Sequence, residues 1–304
     1  MNSAAKPAVL LTGGTGFVGA ALLRALERRG FPVVVLKRSS SDPWRIADLL
    51  DGREGVTAYD MDRVSVETVF ARHEFEVLVH MATAYGRRGE RLSDLVEANV
   101  LFPLRLLQAA VENGARMFLN TDTFSAKATA LPEGLAGYVL TKKQFRQCGE
   151  LVAGSQGIRF VNVRIEHAYG PMDGSEKFVP TLIRALLANQ EAFDLTPGEQ
   201  VRDFVYVDDV VAAYMTLLAR HSSLPGTAIT VDVGTGRGQT LESMARMARD
   251  LCRSSTELRF GALPYRKGEQ MQSVADTGLL RELGWQAAVP LREGLTRTIE
   301  AARL

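Results

Sequence analysis

Over the first two-thirds of the chain, short apolar runs alternate with longer stretches whose apolar residues recur at helical spacing. The short runs are Ala8–Leu11, Val33–Lys37, Val56–Tyr59, Val77–His80, Met117–Asn120 and Arg159–Val163. They are rich in Val, Leu and Phe without polar alternation, the pattern of strands covered on both faces. The longer stretches, Gly16–Arg29, Val66–His73, Leu92–Asn113 and Tyr138–Ala153, predict amphipathic helices. Strand and helix in strict alternation predict an α/β fold with a doubly wound parallel sheet.

After Arg164 the rhythm changes. A loop at Gly170–Ser175 precedes a helix at Phe178–Ala188, a strand at Phe204–Val207, a helix at Val210–Ala219 and a strand at Ala228–Val233. Helices at Leu241–Cys252 and Leu291–Ala302 follow. No Gly/Ser linker, internal repeat or low-complexity tract divides the chain. Two interleaved parts are therefore expected: residues 1–165, rejoined by 204–234, and a smaller C-terminal region of 166–203 and 235–304.

Bulk composition narrows the partners. The 304 residues carry a formal net charge of +1, which gives no general attraction to nucleic acid or an anionic membrane. No run approaches the ~20 apolar residues of a bilayer span, and Met1–Pro7 has no secretory pattern, so a cytoplasmic location is expected. Two cysteines, Cys148 and Cys252, are too few for a disulfide framework and too isolated for a metal site.

Between the first strand and first helix lies Thr12-Gly13-Gly14-Thr15-Gly16-Phe17-Val18-Gly19. Glycines at 13, 16 and 19 let the backbone approach a pyrophosphate, whose charge meets the following helix N-terminus. By itself such a pattern also fits a tight turn with close helix–sheet packing; its position after a buried strand predicts a Rossmann-type dinucleotide site. The second strand ends Lys37-Arg38-Ser39. An NAD site usually has an acid about 20 positions beyond the glycines to hold the ribose 2′-hydroxyl. Cations and a hydroxyl there suit a 2′-phosphate instead, so NADP(H) is the expected cofactor. A solvated basic loop is the other reading of the same residues.

Tyr138 and Lys142 are four apart on a predicted helix and share a face. A phenol with a pKa near 10 becomes a useful acid–base group when an ammonium stands beside it. That pair alone is common on surfaces. Upstream, however, Met117–Thr123 ends in the hydroxyls of Thr121 and Thr123, where a parallel strand delivers residues to the ligand crevice. A hydroxyl there can hold a carbonyl oxygen while the tyrosine transfers its proton. His80, at another strand end, reads as structural.

With TGGTGFVG at 12–19, Asn99, the hydroxyl-bearing strand end, the Tyr138/Lys142 pair and the run Arg202–Val210, the sequence resembles the extended short-chain dehydrogenase/reductase family over nearly its whole length. The resemblance implies roles by position. Tyr138 is the proton donor, Lys142 its activator and ribose anchor, and Thr121 the partner of the substrate oxygen. Asp60 and Met61 flank the adenine. Ala82, Thr83 and Asn99 lie beside the cofactor, with His167 following the sixth strand. Thr83, Asp122, Thr123, Lys177, Phe178 and Val179 border the substrate, and Arg202 and Arg266 clamp a diphosphate. A homodimer through helices 92–113 and 138–153 is also implied.

Related dehydratases carry Asp-Glu after the catalytic Thr, whereas here Asp122 is followed by Thr123, which cannot act as a carboxylate base. The stretches 36–46, 120–124 and 177–180 are similar to the branch containing CDP-abequose and CDP-paratose synthases. That implies NADPH-dependent reduction of the C4 ketone of a nucleotide-diphosphate-linked 4-keto-6-deoxyhexose. An epimerase recycling its cofactor in place, an NADP-sensing regulator and a reductase of a non-nucleotide ketone remain open alternatives. The base, the sugar and the product stereochemistry are not legible.

Overall fold

The computed structural model describes residues 8–51, 54–87, 89–128 and 134–303; Met1–Pro7 and residues 129–133 of the loop after the fifth strand lie outside them. The chain forms two compact units, 1–126 with 134–164 and 217–231, and 127–133 with 165–216 and 232–304.

The first unit holds β1 (Ala8–Thr12), α1 (Phe17–Arg28), β2 (Val33–Lys37), α2 (Ala47–Leu50), β3 (Val56–Asp60), α3 (Val66–Arg72), β4 (Phe75–His80), α4 (Leu92–Val96), α5 (Phe102–Glu112), β5 (Met117–Thr123), α6 (Ala136–Gln156) and most of β6 (Arg159–Ile165). Then come β7 (His167–Tyr169), α7 (Phe178–Leu187), β8 (Ala192–Leu195), β9 (Val201–Arg202), β10 (Phe204–Tyr206), α8 (Val207–Ala219) and β11 (Ala228–Val233). The tail carries β12 (Gln239–Thr240), α9 (Leu241–Cys252), β13 (Glu257–Phe260), β14 (Gln272–Ser273), α10 (Gly278–Glu282) and α11 (Leu291–Ala302).

The main sheet has the order β3-β2-β1-β4-β5-β6-β11. Strands β1 to β5 pair in parallel, with Leu10 beside both Val34 and Leu78, and Leu78 beside Phe118. Chain order runs outward from β1 to β3 and then returns to β4. The ligand crevice of such a sheet opens at the carboxyl ends of β1 and β4, where the order reverses. On one face Leu10, Leu36, Leu78, Phe118, Phe145 and Phe160 form a continuous core, all at most 2% exposed.

One expectation is refined and one changes. Leu92–Asn113 is helical as expected, but a π turn, Glu97–Leu101, lies within it between α4 and α5. Pro103 has no N–H to offer the carbonyl four residues back, and the wide turn carries Asn99 inward. The segment rejoining the first unit is 217–231 rather than 204–234, because β10 pairs with β7, Phe204 opposite His167, in a separate two-stranded sheet. The pieces of two to five residues (α2, β7–β9, β12–β14, α10) are too short to carry a readable period.

Within the second unit, Asp203 and Asp209 of the 202–210 run are structural hubs. The Asp203 carboxylate accepts from the Thr235 hydroxyl (2.6 Å) and from the amides of Thr235 (2.8 Å), Gly236 (2.9 Å) and Ala275 (3.2 Å). Asp209 accepts from the amides of Ala288 and Val289, and Trp285 donates to its carbonyl. These bonds satisfy buried backbone groups that would otherwise lack partners.

Candidate active site

The glycine-rich turn begins at Gly13, with φ of +72°. A side chain there would sit 2.5 Å from the Ala82 amide nitrogen, and one at Gly19 would collide with the Gly13 carbonyl. The loop is thus pressed between β4 and α1. Gly16 supplies no side-chain cap to α1, and the first turn of α1 has no acid, so the positive end of the helix dipole favours an anion there. The residues present therefore fit a dinucleotide pyrophosphate. The Thr12 hydroxyl oxygen accepts from the amides of Met81 and Ala82, both at 3.2 Å, and the hydroxyl is hydrogen-bonded to His80 Nδ1 at 2.8 Å. His80 is fully buried among Phe102, Phe118 and Phe145, and burial lowers its pKa well below the usual value. It is a neutral structural residue that fixes the turn after β4.

At the ends of β2 and β3 the structure brings Lys37, Asp60, Met61 and Ser39 together. Lys37 and Asp60 are register partners and form an ion pair, and the Met61 amide bonds the Lys37 carbonyl at 2.8 Å. Ser39 donates its amide and hydroxyl to Asp62. Arg38 is exposed and has no side-chain partner among the described residues. Arg45, absent from the sequence-derived site, packs over Trp44 at 4.3 Å and donates to the Thr15 carbonyl at 3.3 Å. Its placement depends on Arg24 of α1, which grips Asp48 through two bonds of 2.7 and 2.8 Å. A contact across that sequence distance leaves no local signal.

Tyr138 and Lys142 lie near the start of α6, 7% and 3% exposed. Lys142 Nζ donates to the Thr121 carbonyl at 2.8 Å. The Thr123 hydroxyl is near enough to the Tyr138 phenol to favour its ionised form. Burial, and secondarily Tyr85, raise the phenol pKa well above its ordinary value, so it stays protonated. Burial lowers Lys142 to about 8, opposed by the nearby Asp122 carboxylate. Thr121, expected to face the substrate oxygen, takes the Lys142 ammonium on its carbonyl, and Thr123 is a hydroxyl that acts on the phenol.

Asp122 also departs from expectation. It is 3% exposed, with Oδ1 accepting from the Thr123 amide (2.7 Å) and Oδ2 from Asn162 Nδ2 (2.9 Å). Asn162 Oδ1 in turn accepts from Asn120 Nδ2 at 2.7 Å. Side chains on a strand alternate between faces, so Phe118, Asn120 and Asp122 point the same way, into the protein. Asn99 is equally occupied. Its Oδ1 accepts from the Ala84 amide (2.8 Å) and the Thr83 hydroxyl (3.2 Å), while Nδ2 donates to the Ala84 carbonyl (2.8 Å) and Thr141 Oγ1 (3.0 Å). It splices the loop after β4 to α6. That loop carries Tyr85, whose ring centroid is 4.9 Å from that of Tyr138, and Arg87, 5.2 Å over Tyr85. Neither residue belongs to a motif, so only the fold reveals them.

In the second unit, His167, Lys177 and Arg202 are brought together: burial, then Arg202, then Lys177, pull the His167 pKa down to about 3. Arg202, 5% exposed, donates to Glu269 at 2.5 Å and to the Val201 carbonyl at 3.0 Å. Lys177 pairs with Asp173 at 2.8 Å and directly precedes α7, which opens with Phe178 and Val179. Arg266 is exposed, and its carbonyl accepts from the Glu269 amide at 3.0 Å; no side-chain contact among the described residues joins it to Arg202. A further buried cluster was not foreseen: Lys127 meets Glu166 (2.5 Å) and Asp232 (2.8 Å), and Ser273 donates to Glu166. Among the described residues, no group of three His, Cys, Asp or Glu could hold a metal ion, and no helix is long and apolar enough to cross a membrane.

The sequence profile of the "NAD dependent epimerase/dehydratase family" matches residues 9–233. CDP-abequose synthase of Salmonella typhimurium (strain LT2) is 34% identical over 303 residues, covering 97% of this chain and 98% of that one. The dTDP-4-dehydro-6-deoxyglucose reductase of Escherichia coli is 24% identical, with 99% of each chain covered. The crystal structure of UDP-glucose 4-epimerase from Thermotoga maritima with UDP-glucose superposes with a TM-score of 0.81 at 26% identity, covering 97% of this chain and 98% of that one.

Proposed function

The chain belongs to the NAD dependent epimerase/dehydratase family, and we propose that it is an NADPH-dependent reductase of the C4 ketone of a nucleotide-diphosphate-linked 4-keto-6-deoxyhexose. The observation that carries this reading is the end-to-end likeness to CDP-abequose synthase at 34% identity. The name of the E. coli relative supports it, since it describes reduction of a nucleotide-linked 4-keto-6-deoxysugar.

Gly13, Thr15, Gly16, Phe17, Val18 and Gly19 cradle the pyrophosphate in this reading, Asp60 and Met61 border the adenine, and Ala82, Thr83, Lys142 and His167 complete the cofactor site. Asn99 supports that site through Ala84. Arg38 is the leading partner of the 2′-phosphate, because Lys37 and Ser39 already hold carboxylates. When bound, the dihydronicotinamide supplies a hydride to the ketone carbon. Tyr138, kept protonated by burial, donates its proton to the carbonyl oxygen. The Thr123 hydroxyl, with Thr121 beside it, orients that oxygen. The Lys142 ammonium stabilises the phenolate that proton transfer leaves. Thr123 offers no carboxylate base, which disfavours elimination of water. Arg202, Lys177 and Arg266 hold the substrate diphosphate, with Glu269 and Asp173 giving way as it arrives. Phe178 and Val179 line the sugar side. A homodimer through 92–113 and 138–153 belongs to the same reading and draws on Leu101, Leu140 and Leu151, which are exposed on those segments. So does a cytoplasmic location.

Recycling of the cofactor in an epimerase is the second reading, favoured by the neutralisation of Lys37 by Asp60 and by the likeness to UDP-glucose 4-epimerase. The two separate in one assay. NADPH and NADH absorbance is followed with CDP-, dTDP-, UDP- and GDP-4-keto-6-deoxyglucose. Stoichiometric NADPH oxidation with one of them is expected, with Tyr138→Phe slower by about 10²–10⁴-fold. Arg38→Ala is expected to raise KM for NADPH about tenfold and to leave NADH unaffected. Interconversion of sugar nucleotides without net cofactor oxidation would establish the epimerase instead.

A further inference from the structure

We propose that Tyr85, with Arg87 set over it, is the platform against which the sugar ring of the substrate stacks while Tyr138 protonates it. The proposal rests on the reductase reading and adds a specificity residue to it.

Tyr138 is only 7% exposed, whereas Tyr85, whose ring lies 4.9 Å away at an angle of 36°, is 40% exposed. The ring that covers the proton donor is therefore itself open. A ketone oxygen that reaches the phenol comes into van der Waals range of Tyr85, because little other phenol surface is left. The second ring is also held firmly in place. Asn99 bonds both the amide and the carbonyl of Ala84 at 2.8 Å, and reaches Thr141 on α6 at 3.0 Å. On the other side, Gly86 turns with φ of +74° against Leu95, 3.0 Å from where a side chain would begin. The same helix that carries Tyr138 and Lys142 thus fixes the position of Tyr85.

A large aromatic held rigid and open to water carries little conformational entropy to lose and has area to offer a ligand. The part of its π surface that Tyr138 and Arg87 leave open attracts the C–H-rich face of a pyranose. A 6-deoxyhexose adds an apolar methyl to that face where an ordinary hexose has a hydroxymethyl. Arg87, 5.2 Å above the ring, orients it by a cation–π contact and leaves N–H donors at the rim for sugar oxygens. The platform thus selects for a ring with one apolar face, independently of the nucleotide.

Steady-state kinetics test this with wild type, Tyr85→Ala, Tyr85→Phe and Arg87→Gln. The substrates are NADPH and CDP-, dTDP-, UDP- or GDP-4-keto-6-deoxyglucose, whichever the wild type reduces, and the matching free nucleoside diphosphate serves as competitive inhibitor. Loss of a stacked aromatic contact is expected to raise the sugar-nucleotide KM of Tyr85→Ala about tenfold. The inhibition constant of the free nucleoside diphosphate and the Kd of NADPH should stay near wild type, which also shows that the variant is folded. Tyr85→Phe should keep wild-type KM, and Arg87→Gln should fall between. An unchanged KM in Tyr85→Ala, or a Tyr85→Phe as impaired as Tyr85→Ala, overturns the platform while leaving the reductase in place. A wild-type protein that reduces none of the four substrates overturns both.

Discussion

Lys142 is the residue whose surroundings say most about how this protein responds to pH. Its ammonium is buried against strand β5, and its pKa of about 8 lies far below that of Tyr138, which burial pushes the other way. With rising pH, Lys142 therefore deprotonates first, and the alkaline limb of kcat/KM for ketone reduction is expected near 8. Asp122 opposes that loss, because a carboxylate beside an ammonium favours the charged form. Asp122→Asn removes the opposing charge and keeps the shape, so the alkaline limb should move to lower pH while activity on the acidic side persists. A pH–rate profile of the variant superimposable on wild type would show that Asp122 acts only as a packing group. The Tyr138/Lys142 pair was legible because four-residue spacing on a helix is a local pattern. The inward turn of Asp122 depends on Asn162, forty positions away, and the meeting of Tyr85 with Tyr138 depends on how two loops pack. Neither leaves a trace in a single sequence. The basic strand end was legible as composition, but the carboxylates that occupy Lys37 and Ser39 belong to the next strand and the turn after it.

At the level of elements, apolar period and turn chemistry located nearly every strand of the main sheet, and β2 and β11 fall where they were expected. What the period could not show was the π turn within 92–113, since one wide turn shifts only the phase of the apolar residues that follow it. Helix α6 gives the clearest case of an element shaped by its neighbour. Gly149 sits in its interior, where glycine costs about 1 kcal/mol relative to alanine. A methyl group at that position would collide with the ring of Phe160, which is fully buried and packs against Phe118 and Phe145. The overpacking outweighs the propensity gain, so Gly149→Ala is expected to destabilise the protein by about 1–3 kcal/mol. Urea unfolding measures this directly, and a variant as stable as wild type would mean that the Phe160 ring shifts without penalty. The substitution is chosen because helix propensity and packing predict opposite signs.

At the level of the molecule, the helical segments of the first unit keep an apolar surface that the fold itself does not cover. Leu140 and Leu151 are three helical turns apart on α6 and share a face, 36% and 74% exposed, and Leu101, 41% exposed, belongs to the π turn. Sequence periodicity marks 138–153 as helical, but which apolar residues remain outside can be read only once the Phe145 side of α6 has been placed against the sheet. A second copy of the chain is the occupant proposed for this surface, and self-association through one face is naturally two-fold. Light scattering should then give a dimer for wild type and a monomer for Leu140→Glu/Leu151→Glu, since a charge buried without a partner is strongly unfavourable. Because Leu151 is mostly and Leu140 partly in water in the isolated chain, the monomeric variant should keep its fold and bind NADPH. A monomeric wild type removes the proposal, and a variant that stays dimeric moves the interface elsewhere. If the variant is monomeric yet retains full kcat with the sugar nucleotide, each chain carries a complete site, as expected of a proton donor whose hydroxyl partner and neighbouring lysine all come from one unit of one chain.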